Sequence, residues 1–487
     1  MRTVLFAAVL LSSTAMAAAQ EASNVVTPMT REGSGTSWQP DDSPMYMLHA
    51  QRGAWTLMSH ENAFVQALHD AGDRGATQAG SINWFMEMAE RSVGRGHLEL
   101  RGMISLEPWT IRACGYPDLL TSGEICDGHK IHDRQHPHDL WMEIAAEYDA
   151  PLIRATRWQV YGGPAGEPAL GPEAFSHRVS AMPDPIAPIA HHWLDSTHVS
   201  FGVVTVGVYG SRWKTEGSIF NGREPDERRT DFDFGALDSY SARAWFLPTP
   251  RVALQVSAGH LKDAEVADVG GIAAPLAPRV TVNRVTASLS YTRTSAPRVW
   301  ASTLAWGRNS EPGIATNAIL AETNVTLEDR DAWFGRLEAT GKTADDLDLV
   351  GVAGDAFTVG KLQGGYTRYL SAVRGFKPGV GLVVSLGLVP ESLKTVYGGR
   401  INPGAGVFIT LRPAEMRTAT TAQGEQRMVM VQTAFDPVKL VCTSGFNPAT
   451  APSATYQGRT YYFCSDAERD RFMTDPGMSL SMRPPNQ

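Results

Sequence analysis

Apolar and polar residues alternate with a period of two along most of residues 54–412. In 284–292, Val285, Ala287, Leu289 and Tyr291 share one face, while Arg284, Thr286, Ser288, Ser290 and Thr292 share the other. Segments 97–105, 139–148, 251–260, 319–327 and 333–340 repeat the scheme. A helix would group positions three and four apart, and these segments do not. About sixteen such segments are present: 54–67, 82–93, 97–107, 138–149, 153–163, 197–209, 211–221, 237–247, 250–261, 280–294, 297–308, 314–326, 331–341, 356–369, 378–390 and 404–412. Each is long enough for a tilted membrane strand, which needs roughly 9–11 residues.

The order of the connections narrows the fold. Short links at 94–96, 150–152, 247–250, 295–297 and 328–330 interleave with long ones at 69–81, 109–137, 164–196, 222–236, 262–279 and 342–355. An up-and-down antiparallel barrel with tight turns at one end and long loops at the other produces this order. Trp158, Trp213, Tyr240, Phe246, Trp300, Trp306 and Trp333 fall near strand ends, as interface girdles do. The expected fold is therefore all-β, a transmembrane barrel of about 16 antiparallel strands, closed by 404–413 with Val407, Ile409 and Leu411 facing lipid. A mean hydropathy of −0.19 excludes a bundle of membrane helices but not a barrel, whose two faces average out. A formal net charge of −8 gives no basic footprint for nucleic acid.

Residues 1–19 carry a basic start, the apolar run Val4–Leu11 and an A-x-A site at Ala15-Met16-Ala17, which reads as a secretory signal peptide. The expected organisation is 1–19 signal peptide, 20–53 N-terminal periplasmic segment, 54–413 barrel, 414–433 linker and 434–487 C-terminal module. The expected location is the bacterial outer membrane, with the module in the periplasm.

Eight of the thirteen histidines sit between 129 and 198. Six of them fall in two connections, 109–137 and 164–196, that an up-and-down order places at one end of the barrel, and His138 and His198 stand just beyond these. His129, His132, His136, His138, His191 and His192 are candidate metal ligands, because imidazole suits copper, zinc and nickel. The competing reading is a polar plug whose imidazoles hydrogen-bond internally. Cys114 and Cys126 share one loop and are expected to form a disulfide in an oxidising compartment. Its closure would contribute roughly 3 kcal/mol. Glu99, Arg101, Glu143, Glu147, Arg284, Glu322, Arg336 and Glu338 lie on polar strand faces and are expected to line the lumen.

Residues 436–476 resemble a YHS domain. The carrying elements are Asp436-Pro437-Val438, Cys442, a hairpin turning at Gly458, Tyr461 to Ser465 with Cys464, and Arg469 to Phe472 before Asp475-Pro476. The resemblance implies a small α/β module linked to heavy-metal handling, with Cys442 and Cys464 as ligands, of Cu(I) above all. Thr443-Ser444 replace the usual Gly-Met, and Glu468 stands where a second helix Cys is common. The pair is left as either a metal site or a disulfide. The barrel portion resembles an uncharacterised family of bacterial outer-membrane proteins through Arg31–Tyr46, Asp133–Leu140 and His191–Gly222.

Neither a G-x-S-x-G nor an H-E-x-x-H pattern occurs, so a channel or binding protein for soft metal, chiefly copper, is expected rather than an enzyme. Its partners would be outer-membrane lipid, a metal ion or small solute, and a periplasmic metal-handling protein. The alternatives are an outer-membrane enzyme built on His136, His138 and Asp139 at the barrel mouth, or a soluble secreted metal-binding β protein.

Overall fold

The structure is a computed structural model. It describes residues 27–414 except 128, 154, 267–277, 350–351, 353 and 355, together with short pieces of 419–473. The signal peptide, Cys442 and Cys464 lie outside the described residues. The chain divides into two compact units, Met1–Arg417 and Thr418–Gln487. In the second, strands Ser453–Tyr456 and Arg459–Tyr462 pair as a hairpin, where the sequence places one.

The strands of the first unit, in chain order, are β1 (Leu48–Arg52), β2 (Trp55–Asp70), β3 (Thr77–Val93), β4 (Gly96–Ile104), β5 (Tyr116–Cys126), β6 (His129–Gln135), β7 (Trp141–Pro151), β8 (Arg157–Ala165), β9 (Val203–Tyr209) and β10 (Trp213–Phe220). There follow β11 (Ser239–Thr249), β12 (Val252–Val266), β13 (Arg279–Ser295), β14 (Arg298–Glu311), β15 (Ile314–Leu327), β16 (Asp331–Thr343), β17 (Ala356–Tyr369), β18 (Phe376–Leu388) and β19 (Ile401–Pro413). All of these except β1, β5 and β6 form one antiparallel barrel of sixteen strands. Pairing of β19 with β2, from Gly404↔Asp70 to Leu411↔Ala63, closes it. The sixteen expected segments and the sixteen barrel strands coincide one for one.

Alternation is the physical reason. Val256, Leu304, Ile319, Leu337, Val384, Val407 and Ile409 each keep more than half of their surface exposed on the outer face. Their neighbours Gln255, Ser257, Thr303, Glu322, Arg336 and Glu338 are buried inside. Trp213, Tyr240, Phe246, Trp300 and Trp333 are also exposed outside. An apolar exterior around a polar interior suits lipid and would be costly in water, so the soluble alternative is set aside. Of the expected lumen residues, Glu99, Arg101, Glu143, Arg284, Glu322, Arg336 and Glu338 are buried within, and Glu147 is half-buried.

Three features depart from the sequence reading. The connection at 69–81 is mostly strand, with only 71–76 left as a turn. Strand β1 pairs with the lower part of β2, below the β19 seam. The stretch 109–137 contains the β5–β6 hairpin, tied by the Cys114–Cys126 disulfide (S–S 2.00 Å).

The loops also run inward rather than outward. Nearly every residue of 165–201 is buried inside the barrel. This segment is rich in Ala and Pro and carries few charges. Its backbone groups are met by wall side chains. Ala169 N–H donates to Ser218 Oγ (2.7 Å) and Gly171 N–H to Ser257 Oγ (2.9 Å). The Asn62 and Asn324 amides donate to the carbonyls of Met182 and Val179 (3.0 Å each). The buried Arg178 reaches Glu322 (2.7 Å) and Asp195 (2.6 Å), and Arg336 braces Glu322 from the next strand (3.1 Å). The polar lumen thus satisfies a folded plug instead of lining an open aqueous path.

The segment expected to lie free in the periplasm enters the barrel from the turn end. Trp38 is sandwiched between Arg31 and Lys214, each 4.8 Å from its ring, and Tyr209 meets it edge-on. Ser34 Oγ accepts from Ala174 N–H (3.0 Å), so the N-terminal segment touches the loop-end plug inside the lumen.

Candidate metal centre

Two one-turn helices and the end of β6 set the histidines. Helix α1 (Glu107–Thr110) follows β4, and helix α2 (His191–Leu194) sits within the inward loop. His136 and His138 flank Pro137 just after β6. His136, His138, His191, His192 and His198 are all buried.

Four of the five rings, all but His192, are hydrogen-bonded at Nδ1, His136 to the Pro137 carbonyl (3.3 Å). His138 Nδ1 meets Glu107 Oε1 (3.0 Å), while its backbone N–H donates to the other oxygen (2.8 Å). His191 Nδ1 meets Asp195 Oδ1 (2.8 Å), and His198 Nδ1 meets the Asp195 carbonyl (2.8 Å). His136 Nδ1 lies 3.2 Å from Glu124, and His192 Nδ1 lies 2.9 Å from Glu224. The opposite nitrogen, Nε2, is buried on all five and has no hydrogen-bond partner among the described residues. A carboxylate or carbonyl at one nitrogen and a free second nitrogen is how proteins present imidazole to a metal.

Three of the five rings converge. One ligand atom from each of His136, His191 and His192 lies within 4.8 Å of the other two. Nitrogens sharing a tetrahedral zinc stand about 3.3 Å apart, given bonds of about 2.0 Å, so small ring rotations complete the site. His191 also packs against His198 (centroids 5.2 Å), which packs against His138 (5.3 Å). Phe175 lies edge-on to His191 and shields this side.

Burial holds the His191 and His192 imidazoles down at about 4, and His198, crowded also by His191 and His138, at about 3. Burial also pulls His136 well below the usual imidazole range. These four rings are neutral at physiological pH, as metal ligands must be. His138 differs: burial would lower it, but the Glu107 carboxylate outweighs burial and raises it. Burial would raise Asp195, yet Arg178 and His191 keep it ionised, so it anchors two rings as an anion.

Gly123 of β5 explains how the hairpin fits beside α2. Its φ is +132°, and a Cβ there would stand 2.1 Å from the His192 ring.

Of the expected ligands, His136, His138, His191 and His192 are gathered here. His129 and His132 are not. His129 is exposed at the start of β6, and His132 is engaged by Asp133 (3.0 Å) and Asp348 (3.3 Å). In the alternative grouping of His136, His138 and Asp139, the carboxylate is paired with an arginine. Asp139 turns from the histidines to Arg229 (3.4 Å), which also binds Glu124. Sequence reading missed the anchors Glu107, Glu124, Asp195 and Glu224. Only Asp195 had a local signal, four residues after His191 on one helical turn.

No family model matches the chain, and no curated protein does. Solved structures with similar architecture include Salmonella typhi OmpF, solved in complex with daunomycin (10% identity, 75% of this chain and 100% of that chain, TM-score 0.45). The outer membrane channel DcaP of Acinetobacter baumannii (10%, 74% and 98%, 0.40) and Pseudomonas putida OprB (8%, 73% and 94%, 0.42) are others.

Proposed function

We propose that this outer-membrane barrel handles a transition-metal ion, which it holds inside its lumen on His136, His191 and His192, with His138 and His198 beside them. The observation that carries the reading is the set of buried Nε2 atoms without partners among the described residues, on rings of which all but His192 are hydrogen-bonded at Nδ1. Leaving so many buried polar atoms unsatisfied would cost about 1–3 kcal/mol each, and an ion removes that cost. Imidazole donors suit copper, zinc or nickel. Copper is the preferred cargo, on the resemblance of the C-terminal module to a metal-handling domain. Cys442 and Cys464 of that module would receive or sense Cu(I) in the periplasm.

The role is capture and controlled passage rather than open diffusion, because the inward loop fills the barrel. Passage requires the 165–201 segment to shift. Metal titration of the detergent-folded full chain tests the reading. The native protein takes up Zn(II) or Cu(II) at the histidine centre, and His191→Ala/His192→Ala loses that ion. Cys442→Ser removes a separate, Cu(I)-dependent equivalent. Unchanged stoichiometry in the histidine variant contradicts the proposal.

A further inference from the structure

All nine methionines between residues 27 and 414 gather in one sector of the lumen. On the wall, the register sets Met58 of β2 opposite Met88 of β3, and His60 opposite Met86. The row continues to Met103 of β4, opposite Met86, and Met142 packs against the same group. Met29, Met45 and Met47 approach from the N-terminal segment, and Met182 and His177 descend from the inward loop. Seven of the nine, with His60 and His177, line a cavity of about 40 Å³. That is room for an ion rather than an organic solute.

Methionine often serves as flexible core filling. Filling alone would scatter it, and elsewhere the buried apolar side chains of this lumen are Phe, Leu, Ile, Val and Ala, set among Ser, Thr, Gln and charged pairs. Here thioethers from three separate parts of the chain meet at one small cavity. His177 adds an independent sign. It is 5% exposed and lines the cavity, and its Nε2 has no hydrogen-bond partner among the described residues. Its ring stands 5.6 Å from that of His60 and 4.4 Å from Trp84. Glu32, Glu173 and Arg101 also line the cavity. Thioether and neutral imidazole are soft or borderline donors, and soft donors select Cu(I) over hard divalent ions.

We infer that this cavity binds one soft monovalent cation, Cu(I) or Ag(I), through its methionine thioethers and the imidazoles of His60 and His177. No residue of it belongs to the centre on His136, His191 and His192, so the two sites stand or fall separately. They are neighbours, since a smaller cavity is lined by both His177 and His198.

The test uses full-length protein folded in detergent, with Ag(I) nitrate in chloride-free buffer as the probe and Zn(II) as the control. Met58→Leu/Met86→Leu/Met88→Leu keeps side-chain volume nearly constant. It is expected to lose one equivalent of bound Ag(I) and to keep Zn(II) uptake. His191→Ala/His192→Ala is expected to do the reverse. If the triple variant does not fold, as read by heat-dependent gel mobility, Met45→Leu/Met47→Leu alters the cavity from outside the wall and is expected to weaken Ag(I) binding at least tenfold. Undiminished Ag(I) binding in the folded methionine variant, or loss of Ag(I) only in the histidine variant, overturns the proposal.

Discussion

The two ends of this lumen are filled in contrasting ways. Toward the loop end, the inward segment brings imidazoles backed by carboxylates, around Asp195 and Glu107. Toward the turn end, the N-terminal segment brings thioethers to a wall already carrying Met58, Met86 and Met88. The first set is charge-rich and rigidly hydrogen-bonded. The second is mostly apolar, with Glu32, Arg101 and Glu173 on its lining, and is held by packing. The barrel strands are the same throughout, so the difference arises from what each inserted segment carries. A single scaffold can therefore present borderline donors at one level and soft donors at another.

Removing one filling is the strongest way to break this comparison. Replacing 168–196 by a Gly-Ser linker should convert a closed lumen into one with stable open steps in planar-bilayer recordings. Absence of current would mean that the N-terminal segment alone seals the barrel. Next in size is Arg178→Ala, which leaves Asp195 and Glu322 without their shared buried partner. Breaking a buried pair costs about 3–5 kcal/mol, and the unfolding midpoint in denaturant should fall accordingly. A shift near zero would show that Arg336 alone suffices for Glu322.

Asp195→Asn sharpens the loop-end side. It removes the anion behind His191, and loss of such support weakens metal affinity by about 10–100-fold. Calorimetry with Zn(II) reads this, and Ag(I) binding at the methionine cavity should not move.

The smallest effect is a pH dependence. Burial pushes the Glu173 carboxyl up to about 8, against the opposing pull of Arg178. A raised carboxyl favours the protonated form in the folded state, so its contribution is present below the ordinary value of about 4.5 and is lost as pH rises through 8. Amide exchange of the inward segment should therefore quicken, beyond the chemical trend, between pH 5 and 8.5. Glu173→Gln should flatten that change.

The wall was legible in the sequence because strand parity is a local property. Each side chain's neighbours two positions away reveal its face. The depth of the loops was not legible in the same way. The histidine density of 129–138 and 191–198 showed that the two loops share an end, but not that they turn inward. The clue was the apolar run Ala181 to Ala190, which has a single charge and five methyl-rich aliphatic residues beside its prolines. The β5–β6 hairpin was hidden because its irregular register breaks the alternation between Pro117 and Ser122. The methionine cavity was illegible for another reason. Its members are spread from Met29 to Met182, and only the pairing of β2, β3 and β4 brings the wall members into line.

Anomalous X-ray scattering locates an ion at the histidine centre without ambiguity of element. Crystals of the full chain grown with Zn(II), with data on both sides of the zinc edge, should show an edge-dependent peak within bonding distance of Nε2 of His136, His191 and His192. Density at that point with no edge dependence, or imidazoles bridged only by water at saturating Zn(II), would contradict the metal centre.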